Sequence, residues 1–170
     1  MISAAAPQRP AIAGGADLLV AGIGEMVLTD DPSIGLVAYG LGSCVGLAAW
    51  DPRTRVAGLA HFMLPSGAGG SSPVKFVESG LPAFIRAFEG RGGRTRGAHL
   101  KAAGGASMLL ATAGALEIGR RNAEALEHGL AAIGLRLSAT DFGGTSGRTV
   151  QLDATTGRLH VRSVSRSHEL

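Results

Sequence analysis

The sequence predicts a single α+β domain, a layered α/β sandwich of mixed, mostly antiparallel strands with two long helices. Two observations carry this class. Short apolar and β-branched runs, bounded by Gly, Pro and Asp turn signals, recur from Leu18 to Val164 and give roughly eight strands. Two stretches, 73–89 and 118–133, instead repeat apolar residues at three- and four-residue steps. The helices do not alternate with the strands as βαβ units do, which favours α+β over a parallel sheet. Size agrees: 170 residues, 45% hydrophobic and 17% charged, suit one domain with its own core.

Residues 1–17, rich in Ala, Pro and Gly, are expected as a loose tail before a domain spanning 18–170. The run 18–28 is expected as one strand kinked at Gly22 and Gly24, and 34–38 as a short strand. Apolar runs 45–50 and 56–64, joined by Asp51-Pro52-Arg53-Thr54, predict a β-hairpin. The Gly/Ser-rich stretch 66–72 leaves the hairpin as a loop placed to contact a ligand. In the first helix Val74, Val77, Leu81, Phe84, Ile85 and Phe88 share a face, and Pro82 should kink it or split off its first turn. A strand at 98–103, a Gly104-Gly105 turn and an apolar segment 106–112 follow. In the second helix Ala123, Leu126, Leu130 and Ile133 form the buried stripe, and Gly134-Leu135 reads as a left-handed C-cap. Strands 136–140, 149–153 and 159–164 complete the chain, with 141–144 as a loop.

Composition narrows the function. A net charge of +3 and a pI of about 9.7 are mildly basic, and no aromatics interleave with Arg91, Arg94 and Arg96 or with Arg158, Arg162 and Arg166, so nucleic-acid binding has no support. A single cysteine rules out an internal disulfide framework and suits a reducing cytoplasm, the expected location. No apolar run reaches the length of a membrane span, and the N-terminus lacks the pattern of a secretory signal.

That cysteine, Cys44, lies among Gly40, Gly42, Ser43 and Gly46, just before the hairpin, and His61 lies near its end. A hairpin folds these two positions together. A thiol beside an imidazole is the minimum equipment for nucleophilic acyl transfer. A lone cysteine by an apolar run is more often plain core, but small neighbours leave room for a substrate backbone or carboxamide to approach. Other chemistries fit less well. Gly40-Leu41-Gly42 lacks the helix that a dinucleotide fingerprint requires. Gly42-Ser43-Cys44-Val45-Gly46 resembles a nucleophile elbow, but again without the helix and with a histidine too close in sequence. His61, His99, His128, His160 and His168 show no metal-ligand spacing, and neither a metal nor an organic cofactor is expected.

The string Leu41-Gly42-Ser43-Cys44-Val45, then Asp51-Pro52, then His61-Phe62-Met63-Leu64-Pro65 resembles the chemoreceptor glutamine deamidase family, CheD. The resemblance continues through Gly104-Gly105-Ala106, Ile118-Gly119-Arg120-Arg121-Asn122, Asp141-Phe142-Gly143-Gly144 and Gly147-Arg148, and covers residues 18–164. It implies the same layered fold, of Cys–His hydrolase type, and protein-glutamine deamidation on bacterial chemoreceptors through a thioester on Cys44. His61 would take the thiol proton, or pair as imidazolium with a thiolate, and later protonate departing ammonia. Backbone N–H groups of Gly42, Ser43, Cys44 and Val45 are the candidate oxyanion donors. Two positions depart from the family. Its threonine, six residues before the cysteine, is Ala38 here, leaving Tyr39 and Ser43 as nearby hydroxyls for an orienting role. A phenylalanine on a surface that binds the phosphatase CheC is Ala103 here, which weakens that partner. The expected partners are thus chemoreceptor cytoplasmic helices, with a CheC-type phosphatase second, and the expected state is a monomer. The alternative is a weakly active or non-catalytic chemotaxis module that docks on receptors or on such a phosphatase.

Overall fold

A computed structural model describes residues 17–67, 72–107 and 113–170. The expected tail, apart from Asp17, lies outside the described residues, as do residues 68–71 of the expected Gly/Ser-rich loop and 108–112 of the expected apolar segment. Among the described residues, ten strands and two α-helices form three layers. The outer sheet runs β1 (Leu18–Val20), β3 (Gly35–Leu41), β8 (Arg148–Asp153), β9 (Leu159–Ser163), β10 (Ser167–Glu169). The central sheet runs β2 (Met26–Thr29), β5 (Ala57–Phe62), β4 (Val45–Trp50), β6 (His99–Gly104), β7 (Ala139–Phe142). Pairings are antiparallel except β1–β3 and β6–β7. Helices α1 (Val77–Gly90) and α2 (Ala113–Ala132) cover the other face of the central sheet.

The central sheet is therefore buried on both faces, and β4 and β5 read as continuous apolar runs for that reason. Alternation divides their side chains. Val45, Leu47, Ala49, Ala60 and Phe62 pack toward the helices with Leu81, Phe84, Leu126 and Leu130. Cys44, Ala48, Ala57 and Leu59 pack toward the outer sheet with Leu36, Ala38, Leu41, Val150 and Leu152.

Several expectations change. The run 18–28 is two strands in different sheets: residues 21–25 carry the chain across, with Gly24 at φ +75°. The first helix breaks at Phe76 rather than Pro82. Phe76 is extended and bridges Leu64, which separates a 3-10 turn, Pro73–Lys75, from α1. Pro82 stays within α1. Ile133 lies past the end of α2 and lines an open groove of about 780 Å³ with Leu81, Ile85 and Leu135, so it is not on the buried stripe. The cap after it forms as expected: Gly134 has φ +73°, its N–H reaches Ala131 O, and Leu135 N–H reaches Leu130 O. Asp141 and Phe142 belong to β7, because they pair in parallel with Ala103 and Gly104. Strand β10, too polar to be marked by alternation, was not expected. Among the described residues no helix is long and apolar enough to cross a membrane.

Candidate active site

In the β4–β5 ladder His61 stands opposite Gly46. Directly paired residues point to one face of a sheet, as do residues two apart on a strand. Cys44 lies in the bend immediately before β4 and packs into the core between the sheets with Leu59, and His61, two past Leu59 on β5, points to that same side. Gly46 presents no side chain between them, and Leu41 from the outer sheet fills the space a Cβ would take. The hairpin thus brings thiol and imidazole to one face between the sheets. Cys44 is 9% exposed and His61 fully buried.

The His61 ring is oriented by a carbonyl. Its Nδ1 lies 3.3 Å from Ala21 O, at the crossing between β1 and β2. A carbonyl only accepts, so Nδ1 carries the hydrogen and the neutral ring's lone pair sits on Nε2. That Nε2 is buried and meets no hydrogen-bond partner among the described residues. The same crossing grips the His61 backbone, through His61 N–H to Glu25 O at 2.9 Å and Gly24 N–H to His61 O at 2.9 Å. Burial pushes the imidazole below its ordinary 6.5, opposed by the Ala21 contact and by the charge of Glu25. Burial likewise pushes the Cys44 thiol above its ordinary 9.0, opposed by its own backbone N–H. Both shifts favour the uncharged partners, a thiol beside a neutral base.

The loop before Cys44 is held by its carbonyls. Gly42 O accepts from Ala106 N–H at 2.8 Å and Cys44 O from Gly105 N–H at 2.8 Å. Ser43 O accepts from Asn122 Nδ2 at 2.8 Å, and the same Nδ2 donates to Met63 O at 2.9 Å, two residues past His61. Asn122 is fully buried on α2. It comes this close because glycines replace bulk along the route. A Cβ on Gly104 would collide with Cys44 O, and one on Gly119 would stand 2.5 Å from Gly105 O.

Of the other positions singled out in the sequence, Gly42 spends its N–H on Gly40 O at 2.8 Å, and Val45 opens β4. Ser43 is half-buried in the loop, and Tyr39 is exposed beside the irregularity that separates Ala38 from Leu41 in the β3–β8 ladder. Neither is the partner found for the His61 ring. Ala38 is fully buried in the same inter-sheet core as Cys44. Ala103 is also fully buried there, so in this chain the position offers no surface for a partner.

The sequence reading missed two participants. Ala21 acts through its backbone, for which side-chain identity gives no signal. Asn122 left one: it precedes Leu126 and Leu130 at four-residue steps, a polar residue on a buried stripe.

Residues 63–163 match the family CheD chemotactic sensory transduction. The chain belongs to the CheD family. The chain is 45% identical over 157 residues to the probable chemoreceptor glutamine deamidase CheD of Symbiobacterium thermophilum, covering 88% of this chain and 94% of that one. It is 40% identical to the probable chemoreceptor glutamine deamidase CheD 2 of Anaeromyxobacter dehalogenans, over 86% of this chain and 94% of the other. Against the chemoreceptor glutamine deamidase CheD of Thermotoga maritima it is 36% identical, over 89% and 95% respectively. The CheD match begins after Cys44 and His61, whereas the pairwise similarity to the Symbiobacterium thermophilum protein is long enough to span both positions.

Proposed function

We propose that this CheD-family chain is a cytoplasmic chemoreceptor glutamine deamidase, hydrolysing receptor Gln side chains to Glu with release of ammonia. The observation that carries the reading is the open, buried Nε2 of His61 on the sheet face shared with Cys44. The large majority of buried side-chain polar atoms have a hydrogen-bond partner, and a fully buried imidazole with a bare Nε2 on the thiol's face has the lone pair that a general base needs.

The chemistry runs from a neutral pair. His61 Nε2 removes the thiol proton as Cys44 Sγ attacks the carboxamide carbon, which avoids a standing thiolate in a site that disfavours charge. Ala21 O, holding Nδ1–H, steadies the imidazolium that forms. Loop N–H groups receive the oxyanion. Imidazolium then protonates the leaving nitrogen, ammonia departs and a thioester remains. Water, deprotonated by Nε2, attacks the thioester; Glu leaves and the thiol is restored. The Ala21 carbonyl supplies the orientation that the family's threonine would otherwise give at Ala38.

Incubation with a chemoreceptor cytoplasmic fragment, followed by mass mapping, should find discrete Gln-to-Glu conversions and stoichiometric ammonia. Cys44→Ala, with the fold kept, should yield neither. Tight binding to the fragment or to a CheC-type phosphatase without conversion by the wild type would favour the docking-module reading instead.

A further inference from the structure

We propose that Asn122 is a positioning residue for the oxyanion site: it turns the Ser43–Cys44 peptide so that the Cys44 N–H faces the reacting carboxamide. The inference rests on the thiol–imidazole reading of the site and adds a residue to it.

A trans peptide points its carbonyl and its N–H in opposite directions, and the described chain has no cis bond. Fixing one end of such a unit aims the other. Ser43 C=O is bound by Asn122 Nδ2, so the N–H of the same unit, that of Cys44, points away from α2. That N–H sits on the nucleophile's own residue, joined to the sulfur only through Cα and Cβ, so the donor lies beside the nucleophile. The preceding unit behaves alike, since Gly42 C=O is bound by Ala106 N–H and Ser43 N–H faces the other way. Among the described residues no carbonyl accepts from the Ser43 or Cys44 N–H. Gly42 N–H, spent on Gly40 O, is excluded from the role.

The second bond of Asn122, to Met63 O, ties this loop to the strand end that follows His61. One buried carboxamide thereby fixes the nucleophile loop relative to the base strand. Both of its hydrogen bonds come from Nδ2, while its Oδ1 is buried without a partner among the described residues. An aspartate would keep the shape and turn oxygen toward both carbonyls; a serine would keep at most one donor.

The test uses Asn122→Asp and Asn122→Ser in the full chain. It compares deamidation of a receptor cytoplasmic fragment with alkylation of Cys44 by iodoacetamide, a displacement that forms no oxyanion. The expected result is kcat reduced roughly 100-fold, as for loss of an oxyanion donor, with KM and the alkylation rate near wild type. Unchanged kcat in a folded variant overturns the proposal. So does a parallel fall of alkylation and kcat, which would place the effect on the thiol. Should neither variant fold, or should the wild type lack turnover and so defeat the deamidase reading itself, amide hydrogen exchange in the wild type decides. The Cys44 N–H should exchange faster than the Gly42 N–H, and equal or slower exchange overturns the proposal.

Discussion

Among the described residues His61 keeps one ring nitrogen engaged and the other without a partner, and on the proposed mechanism this asymmetry makes Ala38 tolerable. The Nδ1–H is already satisfied by Ala21 O, so a hydroxyl at position 38 would add little to the tautomer. Ala38→Thr should therefore leave turnover unchanged or slightly raised. Because Ala38 is fully buried between the sheets, the two extra heavy atoms should lower stability by about 1–3 kcal/mol. Urea unfolding and ammonia release, measured together, check both halves; a large loss of turnover would mean that position 38 serves the site differently. At this scale the sequence disclosed Cys44 and His61, because side chains with rare chemistry stand out. It could not disclose Ala21, because any residue supplies the same carbonyl. Ser43 and Tyr39 drew attention as hydroxyls near Cys44, but reach is set by strand face, and Tyr39 points outward from the sheet.

The β4–β5 hairpin is the element that makes the site, and its turn is locked by charge. Asp51, fully buried, accepts from Arg53 N–H at 2.9 Å, Arg94 N–H at 3.0 Å and the Arg94 guanidinium at 3.0 and 3.1 Å. The Arg94 guanidinium holds its carboxyl far below the usual carboxylate range. Asp51→Asn should cost about 2 kcal/mol, the typical worth of hydrogen bonds to a charged group, read from the urea midpoint at neutral pH. The β6–α2 junction is the second such element. Gly119→Ala would put a Cβ against two loop carbonyls, Gly105 O at 2.5 Å and Ala106 O at 2.6 Å, neither able to swing aside. We expect a loss of about 2 kcal/mol or more, with turnover falling too, since Asn122 shifts with α2. Element identity was largely readable because period-2 and period-3.6 patterns differ. The boundaries that failed were set by partners distant in sequence, as when Leu64 draws Phe76 into an extended bridge ahead of α1. The split of 18–28 into two sheets likewise follows from which strands β1 and β2 pair with, which local patterning does not encode.

Across the molecule, the three-layer stack buries both members of the proposed catalytic pair, Cys44 and His61, and this should show in stability against pH. The folded imidazole titrates below its ordinary 6.5, so on acidification the unfolded chain takes up the proton first. Stability should fall as pH drops through the window below 6.5. The folded thiol titrates above its ordinary 9.0, so the unfolded thiol ionises first on the alkaline side, and stability should fall as pH rises past 9.0. Cys44→Ala should flatten the alkaline limb of urea midpoints against pH while sparing the acid limb. Loss of neither limb would show that the thiol is not held in its neutral form by burial. The layered class itself was readable from strand and helix counts. The stacking order was not, because the near-continuous apolar runs of β4 and β5 state that both faces are covered without naming what covers them.

Removal of the base bears most directly on the central claim. His61→Ala should leave binding of a receptor cytoplasmic fragment near normal while lowering ammonia release by about 10²–10⁴, the usual worth of general acid–base assistance. The same variant should slow alkylation of Cys44 at neutral pH. In the wild type the rate should climb with pH to a plateau, through an apparent ionisation below 6.5 that belongs to the coupled pair. Substitutions of His99, His128, His160 and His168, none of them in the site, serve as controls. Near wild-type turnover in His61→Ala, with turnover abolished by one of the controls, would contradict the account.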